Sequence, residues 1–537
     1  MRLTRLRGPV NLGEMFELAA QRHPDRPIVT DRPPDIDPTA STASSYAGWA
    51  QRVVDTAAWL HAAGVVPGDR VAMLKANHAD MLVLACATAR LGAIPALLAW
   101  SHSPESAATL LERLDRPVLV TDRARLSSCG LDAERLRRLT RRTIVVDAGA
   151  SSEGVLALDD VRGGSAPPPA YRGSDEAMVI AHTSGTTGIP KLVQHSANTI
   201  RLLSRVETEP WPVLGISSDD CAVVCNPYSH ARFTTMLTAV TTICPKLVFL
   251  SEPAIDAARP LIAEHRPTIV EAPPNAFLYW ESMAAEAPSP FAHVRMYANT
   301  FDAIHVRTVR AFLEASRRRF PVWVQGWGQS EAGPVTVAIY TRRSVRRSRR
   351  RPVTQNVGFP LPFMTKVRIV DPATFEPQAR GKPGLVEVRQ RGRFLGYVGE
   401  DERLDRKERD GWWNMGDVAI KTRAGSLRLV DREVDRLEGA SGIELEDVLL
   451  DRLPELAEVV MLAVKGGKPI PVVATADEAP LSPARWSGAT AGMPPLADPV
   501  QLPWKDIPRT ATWKVRRPLL RELVRPGAQA VGSSHWT

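Results

Sequence analysis

Segments typical of strands and helices alternate along the first part of the chain, and this alternation restricts the fold more than any other feature. Apolar residues at helical spacing mark residues 12–23, 46–64 and 81–92, the last two ending at a glycine. Short apolar runs at residues 70–74 and 117–122 are typical of buried strands. Strands that alternate with helices pair in parallel, so the sequence predicts an α/β fold with a doubly wound sheet.

The same texture returns further along the chain and then changes. Strand-like segments occupy residues 178–183, 221–226, 246–250, 268–273 and 294–299. Short strands and turns follow from Lys366, and a smaller unit begins near residue 430. We expect a large domain over residues 1–430 and a small one over residues 431–537. Within the small one, residues 476–499 are rich in Pro, Gly, Ser and Ala and are predicted to form a loop.

Composition and charge exclude two classes of protein. With 44% hydrophobic and 24% charged residues, the chain is not a disordered one. Seven arginines between Arg342 and Arg351 account for most of the net charge of +9, which leaves only +2 for the remainder. A nucleic-acid-binding surface is usually broader, so such a partner is disfavoured. The arginine run is either a solvated loop or a docking surface for an anionic partner.

The cysteines and the apolar segments bear on the compartment. Five scattered cysteines, at positions 86, 129, 221, 225 and 244, argue against a disulfide framework. The first residues lack the apolar run of a signal peptide, and the longest apolar stretch, residues 81–89, is too short to span a bilayer. We therefore expect a cytoplasmic protein without a membrane partner.

The strongest local signal is the string TSGTTGIPK at residues 183–191. Its glycines allow backbone N–H groups to approach an anion, its hydroxyls donate hydrogen bonds, and its lysine adds a charge. The Walker spacing is absent. A lysine is also noteworthy here because the chain has 11 Lys against 57 Arg. The sequence predicts a nucleotide-phosphate site formed by Thr183, Ser184, Gly185, Thr186, Thr187, Gly188 and Lys191.

With four further segments, this loop resembles the adenylate-forming superfamily of acyl-CoA synthetases, peptide-synthetase adenylation domains and luciferases. The segments are GWGQSE at 326–331, WWNMGD at 412–417, Asp431-Arg432, and PRTATWK at 508–514, each similar to a family motif in order and spacing. The resemblance implies doubly wound sheets sandwiched by helices plus a distorted β-barrel in the large domain. It also implies a small, mobile α+β C-terminal domain, and ATP and Mg²⁺ as cofactors.

The resemblance also implies residue roles. Ser184 to Gly188 would hold the β- and γ-phosphates, Ser330 the α-phosphate, and Asp417 with Arg432 the ribose, while Trp327 and Gly328 complete the nucleotide site. Glu331 would coordinate Mg²⁺, and Lys514 would touch both the acid and the α-phosphate as a catalytic residue. The residue types suit the chemistry, since a carboxylate that attacks a phosphate brings two anions together and needs cations beside it.

The substrate pocket is predicted from five residues, His230, Phe233, Phe301, Asp302 and Trp327. His230 falls where many relatives place a catalytic-site histidine beside the acid, and no aspartate stands nearby to pair an α-ammonium group. The aromatic side chains could form a flat apolar pocket for the substrate. The alternative interpretation is that they pack in the core. Asp302 would accept from adenine or from the substrate.

Departures from the family pattern cluster around the second half-reaction. Val434 stands at the hinge where Asp or Lys is common, Glu438 stands where many members have Lys, and Trp513 replaces the glycine before Lys514. The adenylating residues are therefore complete, whereas transfer to a thiol, and with it CoA as a cofactor, is in doubt.

Three functions remain open from sequence alone. The leading one is an ATP- and Mg²⁺-dependent ligase that adenylates a small aromatic acid and transfers it to CoA, a carrier-protein thiol or an amine. The alternative is a diazotase-type relative that activates nitrite for coupling to an aryl amine. The third is a catalytically silent nucleotide-binding scaffold, which should have lost Lys514, Glu331 or Asp417; all three are present.

Overall fold

The computed structural model describes residues 6, 8–183, 189–211, 214–347, 352–437, 439–510 and 512–529. Its strands are β1 (Pro27–Thr30), β2 (Ala43–Ser45), β3 (Arg70–Leu74), β4 (Ile94–Leu98), β5 (Val118–Thr121), β6 (Arg142–Val145), β7 (Leu156–Ala157), β8 (Val179–His182), β9 (Leu192–His195), β10 (Cys221–Val224), β11 (Lys246–Phe249), β12 (Ile269–Glu271), β13 (Met296–Asn299), β14 (Val322–Gln329), β15 (Gly333–Thr341), β16 (Asn356–Pro360), β17 (Thr365–Val370), β18 (Pro383–Gln390), β19 (Gly396–Tyr397), β20 (Glu408–Arg409), β21 (Trp412–Lys421), β22 (Leu427–Arg432), β23 (Leu456–Leu462), β24 (Ile470–Thr475) and β25 (Val500–Gln501).

The α-helices are α1 (Met15–Arg22), α2 (Tyr46–Ala62), α3 (Asp80–Arg90), α4 (Pro104–Arg113), α5 (Arg123–Ser128), α6 (Ala133–Leu139), α7 (Ala197–Thr208), α8 (Arg232–Ile243), α9 (Ile255–His265), α10 (Pro274–Tyr279), α11 (Glu281–Ala284), α12 (Val306–Ala315), α13 (Arg342–Arg346), α14 (Asp401–Lys407), α15 (Gly442–Arg452), α16 (Pro483–Thr490) and α17 (Arg517–Val524). Short 3₁₀ turns lie at Leu12–Glu14, Leu158–Val161, Val353–Gln355, Glu433–Asp435 and Trp504–Asp506. No helix in the described ranges combines the length and the apolar character needed to cross a bilayer.

Two large sheets confirm the predicted α/β fold. One has the strand order β19-β9-β8-β4-β3-β5-β6-β7, in which β8, β4, β3, β5, β6 and β7 are parallel. The other runs β17-β18-β21-β22-β16-β15-β14-β13-β12-β10-β11-β1-β2, with β20 beside β21, and is parallel from β14 to β1. Parallel strands buried on both faces read as continuous apolar runs, which is why the sequence revealed them.

The main core lies between these sheets, where shared helices bury both of their sides. A single apolar cluster joins Trp49 of α2, Leu82 of α3 and Leu237 of α8 to Val71 of β3 and Phe249 of β11. Helices covered on two sides are apolar over most of their circumference, as in α3, in which only Arg90 is not buried.

The antiparallel strands β16, β17, β18, β21 and β22 correspond to the region where a distorted barrel was expected. Among the described residues these strands extend the larger sheet beyond β15, and their strand order does not close into a barrel. Their importance for the site is positional. They bring Asp417 of β21 and Arg432 of β22, which face each other in register, towards the end of β14.

The C-terminal segment has its own sheet, β23-β24-β25, with apolar clusters on both faces. The loop predicted over residues 476–499 is wrong in part, because α16 lies within it. Pro483 suits the first position of a helix, and Ala489 and Trp486 pack against the cluster formed with α15. The domain boundary at residue 430 stays a prediction.

The arginine run is partly structural. Arg342 begins α13, so a loop throughout this run was wrong. The Arg342 guanidinium donates hydrogen bonds to the carbonyls of Leu313, Ser316 and Arg318, at and just beyond the end of α12. These carbonyls have no partner within a helix, so an arginine there stabilises the helix end. Residues 348–351 lie outside the described ranges.

Candidate active site

A cavity of about 760 Å³ opens where the carboxyl ends of strands from both large sheets meet. Thr183 follows β8, His230 lies in the turn after β10, and Phe301 follows β13, while β14 contributes Trp327 and leads into Glu331. Loops at the carboxyl ends of parallel strands are the usual ligand site of such sheets. A smaller cavity of about 120 Å³ adjoins it and shares several of its walls.

The structure brings most of the predicted residues together. The large cavity is lined by Thr183, Lys191, His230, Phe301, Trp327, Gly328, Ser330, Glu331, Arg432 and Lys514. Asp302 and Asp417 line the smaller cavity, which Phe301, Trp327, Gly328, Arg432 and Lys514 also border. The predicted phosphate-loop residues Ser184, Gly185, Thr186, Thr187 and Gly188 lie outside the described ranges.

Two predictions for the substrate pocket need correction. Phe233 is 2% exposed and packs in the main core, because α8 turns this side chain towards the helices between the sheets. Asp302 does not line the large cavity; it lies in the smaller one beside Lys514 and Arg517. Phe301 does line the large cavity, from a backbone with φ of +78°.

The turn after β14 places Ser330 and Glu331. At Gly328 a Cβ atom would lie 2.0 Å from the carbonyl oxygen of Gly333, so only glycine fits this close approach. The Tyr397 hydroxyl donates to Glu331 Oε1 at 2.7 Å, and no hydrogen bond joins Oε2 to the described residues. A carboxylate oxygen with this freedom at the cavity wall fits a magnesium ligand.

Cationic groups gather at the same wall. Burial lowers the pKa of Lys514, and the carboxylate of Asp302 is the charge that most counteracts this lowering. Burial also lowers the pKa of Lys407, and there the carboxylate of Glu331 counteracts it most. Arg432 Nε lies 3.3 Å from Asp417 Oδ1. Cations desolvated in this way gain when an anion such as a triphosphate binds beside them. Sequence reasoning missed Lys407, although the scarcity of lysine was a signal that could have found it.

His230 is held as a neutral donor. Its Nδ1 accepts a hydrogen bond from the backbone N–H of Arg232 at 3.1 Å, which places the ring proton on Nε2. Burial, with His182, Lys514 and Arg232 adding to it, lowers the pKa of His230 well below its ordinary value. Nε2 lies 3.4 Å from Ser330 Oγ, and the ring meets Phe301 edge to face at 4.8 Å.

Lys514 is positioned by the loop that carries it. Its backbone N–H donates to Thr510 Oγ1 at 3.2 Å, and the Thr510 N–H donates to the Lys514 carbonyl at 2.8 Å. The Asn275 amide of α10 donates to the Trp513 carbonyl. The C-terminal segment thus delivers its lysine to the cavity in this structure.

A group of charged residues on the cavity wall was not predicted. Glu207 of α7, Arg232 of α8 and Glu271 of β12 all line the cavity, and each glutamate forms an ion pair with Arg232. Arg232 stands two positions after His230, so the proximity in sequence was the available signal.

Asp35, His78 and Asp80 cluster as metal ligands do, and none of the three lines the cavity. Lys75 Nζ lies 2.5 Å from Asp35 Oδ2 and 2.8 Å from Asp80 Oδ1, so an ammonium group already pairs with both carboxylates. Lys75 and His78 together lower the pKa of Asp80 against the opposing effect of burial. The cluster is a buried ion pair, and it gives no support to a metal centre.

Fold and site define an enzyme that uses ATP to form an adenylate, and comparison with known proteins agrees. A sequence profile described as AMP-binding enzyme matches residues 16–398. The chain is 38% identical to a 3-amino-2-hydroxy-4-methoxybenzoate diazotase of Streptomyces cremeus over 97% of both chains. It is 30% identical to a feruloyl-CoA synthase of Amycolatopsis over 74% of this chain and 75% of that one. A solved anthranilate CoA ligase with bound anthranoyl-AMP superposes with a TM-score of 0.81 at 19% identity, over 98% and 99% of the chains, and shows the same fold.

The chain belongs to the AMP-binding enzyme family. The predicted membership, the α/β fold and an ATP-dependent, adenylate-forming ligase with an aromatic acid as substrate are confirmed, and the silent scaffold is not supported. Whether nitrite or the acid's own carboxylate is adenylated is a separate question, taken up in the proposal below. The individual site residues stay predictions.

Proposed function

We propose that this enzyme is a diazotase: it activates nitrite with ATP and transfers the nitroso group to the amine of an amino-substituted aromatic acid. The observation that carries the proposal is the similarity to a diazotase over 97% of both chains. A 3-aminoavenalumate diazotase of Streptomyces, 25% identical over 87% of this chain and 86% of that one, adds support. Both names describe substrates that carry an amine on an aromatic acid.

The proposed division of labour follows the cavity wall. Thr183 and Lys191, with Ser184 to Gly188 between them, hold the β- and γ-phosphates, and Asp417 with Arg432 holds the ribose. Glu331 holds Mg²⁺, which when bound offsets the charge of the leaving pyrophosphate. Lys407 and Lys514 supply the remaining positive charge, and Lys514 acts on charge that develops at the α-phosphate.

Atoms balance in two steps without an added oxidant. A nitrite oxygen attacks the α-phosphorus and pyrophosphate leaves, which gives nitrosyl adenylate. The amine nitrogen then attacks the nitroso nitrogen, AMP departs with the bridging oxygen, and the amine loses a proton. The N-nitroso compound tautomerises to a diazohydroxide, and loss of hydroxide yields the diazonium ion.

His230 is suited to orient a small anion. Its Nε2–H donor stands beside Ser330 Oγ at the cavity wall. Because the ring is neutral, it contributes a directed hydrogen bond without a full charge that would compete with Lys514 for the nucleophile. The same donor suits a carboxylate, so His230 fits both candidate nucleophiles.

An amine acceptor is favoured over a thiol. Asn275, Tyr279 and Arg307 of the large domain all contact the C-terminal segment that carries Lys514. The family's thiol half-reaction requires this segment to rotate, and the sequence departs from the family pattern at Val434 and Glu438.

The five cysteines are unpaired and buried, in keeping with a reducing compartment such as the cytoplasm.

Adenylation of the aromatic acid's own carboxylate, followed by transfer to CoA, is the second candidate. The feruloyl-CoA synthase relative is the observation in its favour. This reaction would proceed without nitrite and would accelerate with CoA.

Trapping the product separates the two. The enzyme is incubated at neutral pH with ATP, Mg²⁺, ¹⁵N-nitrite and 3-amino-2-hydroxybenzoate, and 2-naphthol captures any diazonium ion as an azo dye. We expect an adduct with one ¹⁵N that requires ATP and is absent with Lys514→Ala. Pyrophosphate release that needs CoA and ignores nitrite would contradict the proposal.

A further inference from the structure

Three charged side chains form a connected group in the cavity wall, each from a different element. Glu207 lies in the last turn of α7, Arg232 is the first residue of α8, and Glu271 ends β12. Their side chains are 19%, 15% and 11% exposed respectively, and all three line the large cavity. We call them the Glu207–Arg232–Glu271 group.

Contacts within the group fix two members and leave part of the third free. Arg232 Nε and Nη2 donate to the two oxygens of Glu271 at 2.7 and 2.8 Å, and the Asn226 amide donates to Glu271 Oε1 at 2.8 Å. Arg232 Nη1 donates to Glu207 Oε1 and to Thr235 Oγ1. Glu207 Oε2 accepts no hydrogen bond from the described residues, although Glu207 lines the cavity.

The charge of the group favours a hydrogen-bond donor as its ligand. Two carboxylates face one guanidinium, so the group carries one net negative charge. Burial lowers the pKa of Arg232, but Glu207 and Glu271 raise it by more, so the guanidinium stays charged. A carboxylate ligand would meet repulsion and find the guanidinium edges already occupied, whereas a hydroxyl or an amine can donate to Glu207 Oε2.

The surroundings indicate an aromatic ligand. Apolar side chains of α7 and of the turn before β10, namely Leu203, Val206, Leu214 and Ile216, line the same cavity. An apolar wall that carries a few fixed polar groups is the usual form of a small-molecule site. The backbone N–H of Arg232 donates to His230, so this group and the proposed reaction centre are neighbours on one wall.

We propose that Glu207 determines specificity by accepting a hydrogen bond from a ring hydroxyl or second ring amine of the aryl substrate. The Arg232–Glu271 pair holds Glu207 in place for this contact. The inference rests on the proposed function, from which it takes the aromatic nature of the substrate. It deepens that function, because it predicts that the enzyme prefers amino-substituted aromatic acids whose ring carries a further hydrogen-bond donor.

The test is equilibrium binding, measured by calorimetry with AMP present and with neither ATP nor nitrite. The probes are 3-aminobenzoate and its ring-hydroxylated isomers. With the wild-type enzyme we expect at least one isomer to bind about tenfold or more tightly than 3-aminobenzoate. Glu207→Leu should reduce this gain to less than about threefold and leave 3-aminobenzoate itself nearly unaffected. Glu264→Gln, on an exposed carboxylate of α9, is the matched control and should change nothing.

Glu207→Gln guards against a folding defect in the leucine variant. It keeps the shape and one acceptor oxygen but removes the charge, so an intermediate gain is expected. The inference is overturned if no hydroxylated isomer binds more tightly than 3-aminobenzoate, or if the gain persists unchanged in Glu207→Leu. If Glu207→Leu does not fold, an unchanged gain in Glu207→Gln overturns it equally. Because the readout is binding, failure of nitrite-dependent turnover leaves this result interpretable.

Discussion

Two aromatic residues beside the reaction centre have a backbone conformation that normally belongs to glycine. Phe301 has φ of +78° and Trp513 has φ of +62°. Such a residue costs of order 1–3 kcal/mol and persists only where its surroundings fix it. Phe301 packs against His230, and Trp513 lies 5.8 Å from Trp504, ring centre to ring centre. Phe301 lines the cavity together with Lys514, and Trp513 directly precedes Lys514 in the chain. Both stand where the family pattern has a small residue, so each carries a local energetic cost.

Replacement of Lys514 should slow adenylation strongly while ATP still binds. For Lys514→Ala we expect pyrophosphate release to fall by about 10²–10³-fold or more, because the side chain acts on developing charge. Since burial lowers the pKa of Lys514, the ammonium form is lost at a lower pH than for an exposed lysine. The wild-type rate should therefore fall on the alkaline side, which a pH profile of pyrophosphate release would reveal. Unchanged release from the variant would contradict the role.

Lys407 should matter for ATP. It lines the cavity, and Glu331 is the carboxylate that most opposes the lowering of its pKa by burial. Removing its charge with Lys407→Met should reduce kcat/KM for ATP by about 10²-fold, as loss of one preorganised charge does in other sites. Lys505→Met is the control, because Lys505 is exposed. Equal kinetics for the two variants would exclude Lys407 from the nucleotide site.

At the residue scale, sequence motifs predicted the residues that lie within a recognisable string. They missed residues that come together only through packing. Glu331 and Lys514 were found because each lies in a recognisable string. Phe233 was misplaced, since the spacing along α8 does not reveal which side of the helix faces the core. Glu207 was missed because it has no motif and meets Arg232 only through the packing of α7 against α8.

At the scale of elements, the strand β22 and the helix α15 meet at a buried carboxyl group. Asp431 is 7% exposed, accepts the N–H of Gly442 at 2.9 Å, and is the penultimate residue of β22, which ends at Arg432. Burial raises the pKa of Asp431 to about 7. The junction between the two predicted domains therefore contains a group that titrates near neutral pH.

Stability should decline as the pH rises from the unfolded pKa of this group towards its folded pKa. Because the folded pKa lies above the unfolded value of about 3.9, the protonated form stabilises the fold at low pH, and this contribution is lost as the pH rises to about 7. Asp431→Asn should therefore gain about 2–3 kcal/mol more at pH 8 than at pH 5. Denaturant unfolding at both values would measure the difference, with the exposed Asp477→Asn as control. A gain independent of pH would be contrary to this account.

Elements were predictable where burial is uniform and unpredictable where it is partial. The parallel strands at 178–183 and 268–273 appeared in the sequence as apolar runs and are present as β8 and β12. In contrast, α16 has a single buried residue, Ala489, so its sequence carries no clear helical pattern. Tertiary contact with α15 stabilises it instead.

At the scale of the whole molecule, the C-terminal segment that carries Lys514 contacts the helices α10 and α12. Tyr279 of α10 stacks on Trp504 with ring centres 6.0 Å apart. Arg307 of α12 donates to the carbonyls of Leu450 and Leu456. These contacts hold the segment in the arrangement in which Lys514 lines the cavity.

The stacked pair should stabilise that arrangement measurably. Trp504→Ala and Tyr279→Ala should each lower kcat for pyrophosphate release by about tenfold, since misplacing a positioned group slows the chemical step. The double variant should be no worse than Trp504→Ala alone, because that change already removes the contact with Tyr279. Additive losses would show that the two rings act independently. Limited proteolysis should cut near residues 505–516 sooner in both single variants.

The origin of the oxygen in AMP tests the central claim most directly. The enzyme is supplied with ATP, Mg²⁺, ¹⁸O-labelled nitrite and 3-amino-2-hydroxybenzoate at neutral pH, and AMP is analysed by mass spectrometry. Attack of nitrite on the α-phosphorus leaves one ¹⁸O in each AMP, and we predict this result without any need for CoA. AMP free of label under turnover, with ¹⁸O instead acquired from a labelled carboxylate, would contradict the account and identify a conventional acid ligase.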